Sequence, residues 1–101
     1  MSSLTTLARP YAKAAFALAQ GEQALARWDD MLGLAAAITS DATMAELLDS
    51  PQVSSADAAR MIADAAAESI NDRFKGYLTV LGANGRLPLL PEITRLFRQL
   101  R

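Results

Sequence analysis

The chain has 101 residues, a net charge of −1, 51% hydrophobic and 21% charged residues, and neither cysteine nor histidine. That length favours one domain around one core. The missing thiols exclude disulfides and thiolate chemistry, the missing imidazoles remove the commonest general base and transition-metal ligand, and the absence of a basic excess argues against a nucleic-acid footprint.

Alanine is abundant, β-branched residues are sparse and no alternating run is long enough for a strand, so an all-α chain is predicted. Helix one starts near Thr5 or Thr6 as N-cap, or else at Pro10, since proline is at home only in a first turn; Gly21 ends it in the C′ role. Helix two runs from about Glu22 to Thr39, with Leu25, Trp28, Leu32, Ala35 and Ile38 as its stripe. Ser40 and Asp41 cap a short helix three that stops before Pro51 and carries Met44, Leu47 and Leu48. The stretch Ser54–Asp57, "SSAD", resembles a capping box with Asp in the usual Glu place, opening a helix four that reaches about Ala67 with Met61 and Ile62. Ser69 or Asn71 starts helix five, and Asn84-Gly85 is a strong stop. After the connector "RLPLLP", Pro91 fits N1 of helix six, which carries Ile93, Leu96, Phe97 and Leu100. Six short helices joined by short loops predict a compact bundle with antiparallel neighbours.

The longest apolar run, Met31–Ile38, falls well short of the roughly 20 residues that span a bilayer, so no direct membrane insertion is expected. The start "MSSLTTLARPY" lacks a basic segment followed by an apolar one. The chain stops at Arg101 inside a helical pattern, as a cut at a domain boundary would leave it.

Convergent polar groups for catalysis are scarce. Asp29 and Asp30 are adjacent, and helix neighbours point about 100° apart, so they read as a solvated pair. "GANGR", Gly82–Arg86, lacks the Lys-Ser/Thr of a phosphate loop and reads as a helix stop. Arg95, Arg98 and Arg101 are the densest basic set and read as complements to a helix dipole. No enzyme, no cofactor and no metal site is expected.

Helices one and five carry an apolar surplus. On helix one, Ala8, Ala12, Ala15, Phe16 and Ala19 form one stripe, and Leu7, Tyr11, Ala14 and Leu18 form another. On helix five, Ile70, Phe74, Tyr77, Leu78 and Leu81 form a large-residue stripe, with Gly76, Val80 and Ala83 nearly opposite and Arg73 at the edge. One stripe of each can face a core; the other needs a cover. Either both helices are enclosed on all sides, or they lie side by side and their second stripes line an apolar groove for an amphipathic partner helix. A domain this small has room for about one enclosed helix, which favours the groove.

Four stretches, in order, resemble one known family. "ARPYAKAAFALA" at Ala8–Ala19, "RWDDMLGLAA" at Arg27–Ala36, "MAELLDSP" at Met44–Pro51 and "NGRLPLLPEI" at Asn84–Ile93 are similar to the N-terminal domain of the delta subunits of bacterial F-type ATP synthase, the oligomycin-sensitivity-conferring protein family. Helix four, "DAARMIADAAAES", matches only loosely. The resemblance implies a six-helix domain on top of the catalytic head, part of the peripheral stalk that stops the head turning with the rotor. It implies a groove between helices one and five that takes the N-terminal helix of an alpha subunit. Carried onto this chain, the groove residues are Leu7, Tyr11, Ala14, Leu18, Gly76, Val80, Ala83 and Asn84. It also implies contact with the b subunits only through a C-terminal domain not represented here, a peripheral place on the cytoplasmic face of the inner membrane, no nucleic acid, and a monomeric isolated domain. The competing readings are a helical nucleic-acid-binding domain, another protein-adaptor bundle, and a small hydrolase, the last opposed by the lack of any nucleophile–base pair.

Overall fold

A computed structural model describes residues 3–101. In chain order the helices are α1 (Ser3–Gly21), α2 (Leu25–Ser40), α3 (Ala42–Asp49), α4 (Ser55–Ala66), α5 (Asp72–Ala83) and α6 (Leu90–Leu100), with 3-10 turns at Ala67–Ser69 and Leu87–Leu89. No strand occurs among the described residues. The all-α six-helix reading therefore holds.

The helix starts follow side-chain chemistry. Asp41, Ser54 and Asn71 each place an oxygen on the backbone N–H three residues on, at 3.1 Å (Met44), 3.0 Å (Asp57) and 2.9 Å (Phe74). These bonds satisfy donors that the helices cannot. The "SSAD" box is half made: Ser54 accepts from Asp57, while the short Asp57 carboxylate turns to Arg60 at 2.9 Å.

Two helix ends share one motif with different residues. After α5, Gly85 takes φ +69°, with Gly85 N–H on the Gly82 carbonyl at 3.0 Å and Arg86 N–H on the Leu81 carbonyl at 2.8 Å. After α1, the left-handed residue is Gln23, at φ 55°, with Gln23 N–H on Gln20 at 3.0 Å and Ala24 N–H on Ala19 at 2.8 Å. Both are Schellman closures. Gly21 is therefore inside the last turn of α1 and not at C′, which corrects the expected stop by two residues.

Pro10 corrects the other end. It lies inside a continuous α1 that begins at Ser3, not in a first turn. A helix-interior proline lacks the N–H for the carbonyl four residues back, but Pro10 and Thr6 are both on the solvent side, where water reaches that turn. Pro91 sits second in α6, one position past the expected N1.

The core is assembled around α6, which packs along α1 on one side and α2 on the other, while α4 packs on α5 and on α2. Ala8, Ala12, Ala15 and Ala19 are all buried on the face of α1 turned inward. Their small side chains let α6 approach closely, and Phe16 meets Phe97 edge-on at 5.7 Å. Trp28, wholly buried, packs edge-on against Phe74 at 5.3 Å and Tyr77 at 5.5 Å. Thr94 is buried within α6 and its hydroxyl lies 2.8 Å from the Leu90 carbonyl and 3.1 Å from the Leu32 carbonyl, tying α6 to α2.

Asp29 is not the solvated carboxylate expected of it. It accepts from Arg98 Nε and Arg101 Nη1, each at 2.8 Å, so the basic end of α6 is held on α2. Only Asp30 stays exposed. Burial alone would raise the Asp29 carboxyl, but the hydrogen bonds from Arg101 and Arg98 outweigh it and hold it below the usual range. Gly33 makes room for this pairing: a Cβ there would lie 2.8 Å from Arg98 Nη2.

Candidate interaction surface on α1 and α5

The large stripe of α5, from Ile70 to Leu81, is buried throughout. One flank of the helix is closed by α4. A Cβ on Gly82 would lie 2.8 Å from the Ser55 carbonyl oxygen and 3.4 Å from Ala59 Cβ, so only glycine permits that approach. The other flank faces α1. There Tyr77 Oη donates to the Tyr11 carbonyl at 2.7 Å. Burial, with Tyr11 beside it, pushes the Tyr77 phenol well above its ordinary value, so it remains a neutral donor.

A second tie lies at one end. Arg73 Nε stands 3.4 Å from Glu22 Oε2, just past α1, and the Trp28 indole N–H reaches Glu22 Oε1 at 3.4 Å. The carboxyl end of α1 thus meets the amino end of α5, and the two helices run antiparallel. They are not among the closely packed helix pairs. Two polar ties, rather than an interlocked apolar seam, connect them.

The residues singled out from the sequence sit at two depths. Leu7 is 43% exposed and Val80 53% exposed. Ala14, Gly76, Ala83 and Asn84 are also exposed, and a Cβ on Gly76 would meet nothing within 4 Å. Tyr11 and Leu18 are half-buried and packed against the core. Neither helix is enclosed on all sides, which removes that alternative. Leu4, 48% exposed, was missed, although its i, i+3, i+7 spacing with Leu7 and Tyr11 extends the same stripe. Tyr77 was assigned only to the core; its hydroxyl makes it the tie as well.

The chemistry available here is apolar contact with one charged pair at its end. Among the described residues no three acids, His or Cys converge as a metal site. No single helix among them is long and apolar enough to cross a membrane; α2 and α3 reach the length only together, and they meet at 79°.

Comparison with known proteins gives a consistent result. The sequence model of the ATP synthase delta (OSCP) subunit family matches residues 7–101. The chain is 48% identical over 101 residues to ATP synthase subunit delta of Thioalkalivibrio sulfidiphilus (strain HL-EbGR7), covering all of this chain and 57% of that protein. It is 44% identical over 100 residues to ATP synthase subunit delta of Alcanivorax borkumensis (strain ATCC 700651 / DSM 11573 / NCIMB 13689 / SK2), covering 99% of this chain and 56% of that protein. The chain thus spans little more than half the length of these relatives.

Proposed function

This chain belongs to the ATP synthase delta (OSCP) subunit family, and from that membership we propose that it is a non-catalytic, head-binding component of the enzyme's peripheral stalk. Its partner is the N-terminal helix of an alpha subunit, which lies between α1 and α5 and buries Leu7, Tyr11, Ala14 and Leu18 on one side and Gly76, Val80, Ala83 and Asn84 on the other. The observation that carries this reading is the exposed apolar stripe on each of two antiparallel helices joined by the Tyr77–Tyr11 hydrogen bond. A bundle gains nothing in stability from leaving such residues in water, whereas a partner helix gains their burial at roughly 25 cal/mol per Å². The glycine and alanines let a third helix approach closely, and the Tyr11 ring, half-buried with a polar tip, suits the edge of such an interface.

The mechanism is mechanical. A stator resists torque, so it needs a slow off-rate rather than turnover, and a prefolded site keeps the ordering cost on the partner alone. The b subunits would be reached through the rest of the protein, and the assembly would hold the chain peripherally at the cytoplasmic face of the bacterial inner membrane.

Calorimetric titration with a synthetic alpha N-terminal peptide tests the reading. Tyr11→Ala and Val80→Asp should each weaken binding by about 2 kcal/mol or more, roughly thirtyfold in Kd, with folding retained. The two changes should be coupled in a double-mutant cycle, since one helix touches both sites. Normal binding by both variants would refute the groove.

A further inference from the structure

A second unfilled surface lies along α3. No residue of α3 is fully buried. Two cavities adjoin it, of about 340 Å³ and 270 Å³, and both are lined by Leu48, Asp49 and Pro88. The larger opens between the end of α3, the start of α4 and the 3-10 turn at Leu87–Leu89, and its walls include Val53, Ala58 and Leu87. Apolar side chains, Leu48, Val53, Leu87 and Pro88, share these walls with Thr39, Ser40, Ser54 and Ser55, and the carboxylate of Asp49 is common to both cavities of the cleft.

Charge surrounds this cleft unevenly. On α3 and at the start of α4, from Asp41 to Asp57, the chain carries four exposed carboxylates, Asp41, Glu46, Asp49 and Asp57, and no base. Arg60 is engaged by Asp57 at 2.9 Å. Glu46 lies one turn before Asp49 on α3, and among the described residues neither is within ion-pair reach of a base. Arg86 is half-buried and lines neither cavity. The bases lie mainly elsewhere, on α1, at the start of α5 and on α6.

We infer that the α3 cleft docks a basic amphipathic segment of a partner protein, with an aliphatic side chain in the larger cavity and Lys or Arg side chains against Asp49 and Glu46. The apolar walls supply burial, and the one-signed field supplies orientation and encounter rate. The larger cavity reaches Gly82 and Gly85 at the end of α5, next to Ala83 and Asn84, but shares no lining residue with the α1–α5 surface.

The test uses a fluorescein-labelled helical peptide of leucine and lysine, measured by anisotropy in about 150 mM salt, where distant charges are largely screened. Two variants carry equal charge changes. Glu46→Gln with Asp49→Asn should weaken binding about tenfold, whereas Asp64→Asn with Glu68→Gln, away from the cleft, should change it less than about twofold. Ser55→Trp, which fills the larger cavity from an exposed position, should weaken binding at least about fivefold with unchanged helicity. The peptide should shift the amide resonances of Leu48, Val53 and Leu87. Equal losses from both charge pairs, tight binding by the peptide with Glu for Lys, or shifts centred on Leu7 and Val80 would each overturn the inference.

Discussion

α1 and α6 lie against each other along much of their length, yet they distribute apolar residues in opposite ways. α6 has one apolar face: Ile93, Leu96 and Phe97 are buried, while Arg95, Arg98 and Arg101 lie outside and pair with Glu92 or Asp29. α1 buries a line of alanines and presents Leu4 and Leu7 to water. The helix with larger side chains inside has a mainly charged exterior, and the helix with the smallest sets Leu4 and Leu7 in water beside Arg9 and Lys13. Folding explains α6 up to its last residue, Leu100, which is 43% exposed. It explains only half of α1, and the remainder is what a partner would use.

The sharpest way to break this comparison is to truncate both helices. Phe97→Ala should cost about 3–5 kcal/mol in denaturant unfolding, because it opens a cavity against Phe16. Leu7→Ala should cost no more than about 0.5 kcal/mol. Comparable losses would mean that the exposed stripe belongs to the fold.

Each helix also carries one proline. Pro10 sits inside the unbroken α1 without a backbone N–H to donate, so Pro10→Ala should raise stability by about 1–3 kcal/mol, whereas Pro91→Ala in the first turn of α6 should stay within about 1 kcal/mol. A loss on Pro10→Ala would show that the helix depends on the ring there.

The end of α1 offers a further contrast, this time with α5. Gln23→Gly should stabilise by about 1 kcal/mol by relieving the left-handed residue, and Gly85→Ala should destabilise by about 1–2 kcal/mol. Gly21→Ala, with open space around it and no left-handed φ, should be neutral or slightly stabilising. Thermal melts of the three variants separate these outcomes.

The smallest expected effect concerns the charged exterior of α6. Hydrogen bonds from Arg95 and from the Thr5 hydroxyl hold Glu92 down from 4.5 to about 2, and Asp29 is also lowered. Carboxyls lowered by folding contribute stability above their unfolded values and lose it as pH falls through their folded ones. Stability should therefore decline most between about pH 4 and pH 2. Asp29→Asn should flatten part of that slope; an unchanged slope would show that its pairs are too solvated to matter.

Much of this architecture is legible in the sequence because it is written in local chemistry. Asp41, Ser54 and Asn71 cap from within three residues, Gly85 is the glycine a left-handed position favours, and the stripe of α5 follows helical period alone. The misreadings have a common cause in tertiary setting. Pro10 is tolerated because its turn faces solvent, Gln23 accepts a left-handed backbone because Ala24 can close onto Ala19, and Asp29 is engaged because α6 brings Arg98 from 69 residues away. The exposed residues of α1 and α5 were legible as a surplus, since two stripes at one period cannot share one core. Tyr77 was legible only as core, because nothing in its spacing shows where its hydroxyl points.

The aromatic packing has an optical consequence. Trp28 is the only indole, so emission excited at long wavelength has one source, and its complete burial places that emission toward the blue. Tyr77 stands 5.5 Å away, close enough to pass its excitation to the indole almost completely. The same phenol holds the α1 backbone, and the indole N–H leans on Glu22, which holds Arg73. The chromophore is thus wired to both ties between α1 and α5, and a change at either one registers in its quantum yield without a label.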